Sequence, residues 1–293
     1  MKLKGCGTAL VTPFKEDFSV DYEAFIKLVR RQIEQGIHFL VPLGTTGETP
    51  CLTKEEKFKI IELVLEVNNG KTPVICGAGS NNTIEVIKSI KEFSRYEIDG
   101  FLIVTPYYNK PTQDGLIKHF TAIADASEKP IVMYNVPGRT SVNMTAETSL
   151  RLAEHPNIVA TKEASSNYAQ ISEIIRNAPE GFSVLSGNDD ETLSLCVTGA
   201  SGVVSVASNI APSFMSEYLN FILAGDFAKA RELHHTLFPL FKNCFIESNP
   251  IPVKAGLTHL GFIENVLRAP LYSSTKKTYD IMAETINQLG VKE

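Results

Sequence analysis

The sequence predicts an α/β protein of the (β/α)8 type, a TIM barrel with a C-terminal helical extension. Three observations carry that expectation. Short β-branched runs recur eight times, helical spacing fills the intervals between them, and each run is apolar almost without a break. A strand buried on both faces reads as a continuous apolar run, whereas a half-exposed strand alternates, so these strands belong to a covered parallel sheet. The length of 293 residues suits one barrel, which needs about 250, plus an extension. An open doubly wound sheet is the competing architecture.

The runs fall at residues 7–13, 37–43, 72–79, 100–106, 130–137, 157–163, 182–188 and 202–208. Consecutive runs lie about one βα unit apart, as crossover helices require. Residues 53–67, "TKEEKFKIIELVLEV", show the helical pattern, with Phe58, Ile61 and Leu65 spaced by three or four and charges between them. From about Pro212 the chain reads as helices only, the last near residues 275–289. The expected division is a catalytic barrel over residues 1–224 and a helical C-terminal domain over 225–293.

Composition narrows the function. A net charge of -5 offers no basic face for nucleic acid. No apolar run reaches the ~20 residues of a membrane span. Gly5, Gly7 and Pro13 interrupt any signal-peptide core, and five scattered cysteines without a C-x-x-C pair fit reduced thiols in a cytoplasm. The six histidines form no ligand pattern, since His234 and His235 are adjacent and point to different helix faces. No metal is expected. "GAGSNN" at 77–82 has Asn82 where a dinucleotide fingerprint needs its third glycine, so no cofactor is expected either.

Barrel chemistry sits at the C-terminal strand ends. There the sequence places "GTTGET" (44–49), "TPYYNKP" (105–111), "YNVPGRT" (134–140), Lys162 and "SGNDD" (186–190). Lys162 closes an otherwise dry strand. A solvated lysine is the ordinary reading; a buried one would have a lowered pKa and a nucleophilic amine. Gly44–Gly47 could cradle a carboxylate, or could be a tight turn before a Thr53 cap. Tyr107 and Tyr108 read as packing or interface residues. Tyr134 can move protons, and Arg139 on the following loop can hold a carboxylate bidentately. Together these groups specify Schiff-base chemistry on a keto acid, the logic of a lysine-dependent aldolase. Asp189-Asp190 reads as a helix N-cap, and Glu163 has no assigned role.

In combination, "GTTGE", "TPYYNKP", "YNVPGRT", "KEAS" and the late "NPIPVKAGL" closely resemble the 4-hydroxy-tetrahydrodipicolinate synthase family, within the N-acetylneuraminate lyase superfamily. The motifs stand in the family's order along nearly the whole chain. The resemblance implies condensation of pyruvate with L-aspartate 4-semialdehyde in lysine and diaminopimelate synthesis, most often by a homotetramer. It implies that Lys162 forms the Schiff base and that Tyr134 transfers protons with Thr46. It implies that Tyr108 completes the relay from a neighbouring subunit. The Thr45–Thr46 backbone would hold the pyruvate carboxylate, Arg139 would receive the semialdehyde carboxylate, and Gly187 and Val204 would line the pocket. Asn81, Glu85 and Tyr107 match a lysine effector site. Lys54 and Lys57 stand where an inhibited form carries histidine, so weak or absent lysine feedback is expected. The alternatives are another pyruvate aldolase, such as an N-acetylneuraminate lyase, or a silent barrel that senses a keto acid.

Overall fold

In a computed structural model that describes residues 2–291, eight strands form one sheet in the order β2-β1-β8-β7-β6-β5-β4-β3. They are β1 (Gly5–Ala9), β2 (Phe39–Val41), β3 (Ile75–Gly77), β4 (Gly100–Val104), β5 (Ile131–Asn135), β6 (Ile158–Glu163), β7 (Ser183–Ser186) and β8 (Gly202–Ser205). The pairs β1–β2 and β3 through β8 in succession are parallel. Hydrogen bonding continues past β2, where the Leu40 amide donates to the Pro73 carbonyl at 2.9 Å. This is the (β/α)8 fold the sequence predicts, and each strand falls within or overlaps one of the eight apolar runs.

The helices between strands start where the sequence supplies oxygen side chains for their unpaired amides. Asp21 caps α1 (Tyr22–Glu34), and Thr53 with Glu56 forms a reciprocal capping box on α2 (Lys54–Asn68). Asn82 caps α3 (Thr83–Phe93), Thr112 caps α4 (Gln113–Ala126), Thr145 caps α6 (Ala146–Ala153) and Asn167 caps α7 (Tyr168–Asn177). Two short helices have no such cap: α5 (Pro137–Thr140), a single turn begun by proline, and α8 (Thr192–Val197). Beyond β8 come α9 (Pro212–Leu223), α10 (Phe227–Asn243), α11 (Ile251–His259) and α12 (Lys276–Leu289). The expected domain boundary at residue 224 falls in the turn between α9 and α10.

The chain divides into two compact units. One holds the residues up to Gly5 and Val74–Val204, and the other holds Cys6–Pro73 and the chain from Ser205 onward. The first unit is dry at its centre. Phe101, Ile103, Met133, Leu185 and Phe120 are all fully buried. Within it the backbones approach closely at Gly202, where a Cβ would lie 2.0 Å from the Gly5 carbonyl oxygen, so only glycine fits there. The second unit buries Phe14, Phe25, Phe39, Tyr218 and Phe241. Among the described residues no helix is long and apolar enough to cross a membrane.

Candidate active site

In the first unit, β5 and β6 run side by side with Tyr134 in register with Lys162 and Asn135 with Glu163. The strand places the Lys162 ammonium 4.0 Å from the centre of the Tyr134 ring. Lys162 is 6% exposed. Burial, which disfavours the charged form, pulls its pKa down to about 7; the Asp189 carboxylate opposes that shift and the Arg139 charge adds to it. The ordinary reading of a solvated lysine therefore fails. At the reference value of about 10.4 almost no free amine exists at neutral pH, whereas here a large fraction does.

Burial pushes the Tyr134 phenol up to about 12, and Arg139 opposes the rise. The tyrosine thus keeps its proton at neutral pH and can donate it. Arg139 itself is exposed and lies on α5, not on an open loop as the sequence suggested. Pro137 at the first position, where no amide hydrogen is needed, explains the helical turn. Gly187 follows β7 and its amide donates to the Glu163 carbonyl at 2.6 Å. A Cβ on Gly187 would sit 2.6 Å from Ala164 Cβ and 3.1 Å from Lys162 Cε, so the missing side chain is space for the lysine stem. Val204 is the penultimate residue of β8 and is buried.

Asp189 corrects a sequence expectation. It is buried inside a 3-10 turn, Asp189–Glu191, preceded by Asn188, and no side chain caps that turn. Its charge acts on Lys162 instead. Asp190 is exposed.

The second unit carries Thr45 and Thr46 in a 3-10 turn, Thr45–Gly47, shortly after the β2 end. The Gly47 and Glu48 amides close the turn on the Gly44 and Thr45 carbonyls. Thr49 Oγ1 ties back to the Gly44 carbonyl at 2.9 Å, and Thr12 Oγ1 donates to the Gly47 carbonyl at 2.7 Å. Thr45 is exposed and Thr46 buried, where its hydroxyl accepts a 2.9 Å hydrogen bond from Asn249 Nδ2. The turn is also held from beneath by a buried ion pair. Lys254 Nζ lies 2.7 Å from Glu48 Oε1 and 2.9 Å from the Thr12 carbonyl, over the Phe14 ring. Glu48 Oε2 accepts the Arg268 amide, and the Arg268 guanidinium binds Glu56 through both terminal nitrogens.

The remaining candidates lie in the first unit, on the surface. Tyr108 is 89% exposed with a left-handed φ of 71°, a costly conformation for a bulky residue. Tyr107 is partly exposed, and Glu85 is exposed in the first turn of α3. Asn109 Nδ2 donates to the Asn81 carbonyl at 2.9 Å, which joins the Tyr107–Tyr108 segment to the segment before α3. Among the described residues no cluster of three or more histidine, cysteine or acidic side chains could hold a metal ion.

The sequence reading gave no role to Asn249, Lys254 or Glu48, and it read Asp189 as a cap. One signal was visible: Lys254 stands in the apolar run "IPVKAGL", where a buried ammonium requires an anionic partner.

A barrel strand with a buried lysine one residue from its end, beside a tyrosine of the neighbouring strand, is the arrangement a lysine-dependent lyase requires. The chain belongs to the dihydrodipicolinate synthetase family, whose pattern matches residues 2–289. It is 50% identical over 293 residues to the 4-hydroxy-tetrahydrodipicolinate synthase of Parabacteroides distasonis, covering 100% of this chain and 99% of the relative. It is 49% identical over 292 residues to that of Phocaeicola vulgatus, covering 99% and 98%. The crystal structure of the Thermotoga maritima dihydrodipicolinate synthase superposes with a TM-score of 0.97 at 44% identity, covering 99% of both chains.

Proposed function

We infer that the chain condenses pyruvate with L-aspartate 4-semialdehyde through a Schiff base on Lys162, giving 4-hydroxy-tetrahydrodipicolinate for diaminopimelate and lysine synthesis. The observation that carries this reading is the buried Lys162 ammonium, with a pKa near 7, against Tyr134. The neutral amine adds to the pyruvate ketone and water leaves, protonated through Tyr134. The resulting iminium is an electron sink. Loss of a methyl proton gives the enamine, whose carbon attacks the semialdehyde aldehyde. The semialdehyde amino group then displaces Lys162 from the imine, closing the ring and restoring the free lysine. No cofactor enters this sequence.

The other side chains take their roles from the same reading. The Thr45–Thr46 backbone grips the pyruvate carboxylate, the Thr46 hydroxyl joins the proton relay, and Arg139 holds the carboxylate of the semialdehyde. Gly187 and Val204 shape the pocket. Tyr108 serves a neighbouring subunit, and its exposure supports that assignment. The working form is then a homotetramer in the cytoplasm. Asn81, Glu85 and Tyr107 form a lysine effector site. Lys54 and Lys57 weaken it, because added positive charge opposes a cationic amino acid.

The test is pyruvate consumption with aspartate 4-semialdehyde, beside N-acetylmannosamine and beside Lys162→Ala. Turnover with the semialdehyde alone, lost in the variant, is the expected result. Turnover with the sugar instead would place the chain on the lyase branch and remove the role given to Arg139.

A further inference from the structure

Glu163 is a buried carboxyl that the chemistry above does not use. It follows Lys162 on β6, so its side chain leaves the opposite face of the strand. Glu163 Oε1 accepts from Asn135 Nδ2 at 3.0 Å and Oε2 from Ser165 Oγ at 2.7 Å. Asn135 is its register partner on β5, one rung beyond the Tyr134–Lys162 pair. Asn135 also reaches further. Its Oδ1 accepts the Met144 amide at 2.9 Å, and its Nδ2 faces Asn143 Oδ1 at 2.9 Å and the Met144 carbonyl at 3.2 Å. Asn143 and Met144 are in the segment that returns from the turn bearing Arg139. Gln170 of α7 closes the network, accepting from Asn143 Nδ2 at 2.8 Å and donating to the Met144 carbonyl at 3.1 Å.

One polar cluster thus joins the ends of two neighbouring strands to the far side of the Arg139 turn. Each of these strand ends carries a group of the proposed chemistry on its other face. A carboxylate suits the position because two donors, from Asn135 and Ser165, converge on its two oxygens. Burial pushes the Glu163 carboxyl up to about 7, against the Ser165 and Asn135 hydrogen bonds. A group this costly to bury has a use beyond filling space.

We propose that Glu163 is a positioning residue: through Asn135 it holds Lys162 against Tyr134 and couples both to the segment that presents Arg139. Glu163 touches no substrate and acts through its neighbours. The proposal rests on the Schiff-base reading above, and that reading has its own control. Wild-type protein treated with pyruvate and borohydride must gain a reduced adduct on Lys162; if it does not, the reading fails, and not this proposal.

Given that control, three variants test the assignment. Glu163→Leu removes both acceptors, and kcat falls by about 10²-fold, the scale set by misplacing reacting groups by about an ångström. The rate of borohydride trapping with pyruvate falls with it. Glu163→Gln keeps the shape and one acceptor and restores most of kcat, because Ser165 can reverse its hydrogen bond. Asn143→Ala removes the Asn143 side-chain bonds to Asn135 and Gln170 and leaves the two Asn135 bonds to the Met144 backbone, so it loosens the Arg139 segment without touching Glu163. It raises KM for the semialdehyde while trapping with pyruvate stays at the wild-type rate. A merely structural role predicts lower melting temperatures with unchanged kcat per folded molecule in all three. That outcome overturns the proposal. Should Glu163→Leu fail to fold, Asn143→Ala decides: an unchanged semialdehyde KM overturns it, and a raised KM with normal trapping upholds it.

Discussion

Lys254 and Glu48 form an ion pair 2.7 Å long with neither side chain in contact with solvent. Burial lowers the Lys254 pKa to about 8 and the nearby Arg268 charge adds to the shift, while the Glu48 carboxylate opposes it and favours the ammonium. Glu48 itself sits in the left-handed region, φ 52°, at the end of the Thr45–Gly47 turn. The pair therefore fixes the turn to α11. Its removal on one side leaves an uncompensated buried charge. Lys254→Met is expected to cost about 3–5 kcal/mol of stability, and Lys254→Met with Glu48→Gln much less. Guanidinium unfolding at one protein concentration reads both. Equal losses in the single and double variants would show that the pair matters only as packing.

The lowered Lys162 pKa has a direct consequence for rate against pH. In the proposed chemistry the nucleophile is the neutral Lys162 amine, and its fraction rises as pH increases through the folded pKa of about 7 and levels above it. Trapping of the pyruvate imine should follow that curve. Asp189 raises the Lys162 pKa, so Asp189→Asn removes a charge that favours the ammonium and moves the curve to lower pH. An unmoved curve, measured under single-turnover conditions, would remove Asp189 from the electrostatics of the site.

Asn249 Nδ2 donates to Thr46 Oγ1, which leaves the threonine proton to be given elsewhere. Asn249→Ala should lower kcat by about tenfold, the value of one buried hydrogen bond at its upper range. In a Thr46→Val background the same change should add little, because residues in one network are not additive. Full additivity in kcat would separate the two residues.

The eight strands were legible because a strand covered on both faces leaves a continuous β-branched run, and nothing in a loop imitates it. Lys162 and Tyr134 were legible as buried groups near strand ends, whereas Arg139, expected on a loop, lies on the exposed α5 turn. Other features depend on distant partners. Lys254 and Glu48 stand 206 positions apart, so no local spacing announces the pair. Asp189 reads as a cap because acidic pairs before helices usually are caps, and only the fold shows its charge directed at Lys162. Glu163 was visible but silent, since its partner Asn135 is defined by register between strands and not by sequence neighbourhood.

Gly187 gives the most local prediction. Any side chain there meets Ala164 Cβ at 2.6 Å, and the Lys162 stem and the Glu163 carbonyl at 3.1 Å. The lysine stem is flexible, but the Ala164 methyl and the strand backbone are not. Gly187→Ala must therefore shift the end of β6 or push the β7 loop outward. Overpacking of this kind costs about 1–3 kcal/mol. The expected kinetic result is a larger effect than the stability loss implies, because the displaced atoms belong to the proposed nucleophile. Melting temperature together with the imine-trapping rate measures both sides. A variant with wild-type trapping at reduced stability would show that the strain relaxes away from Lys162, through the β7 loop.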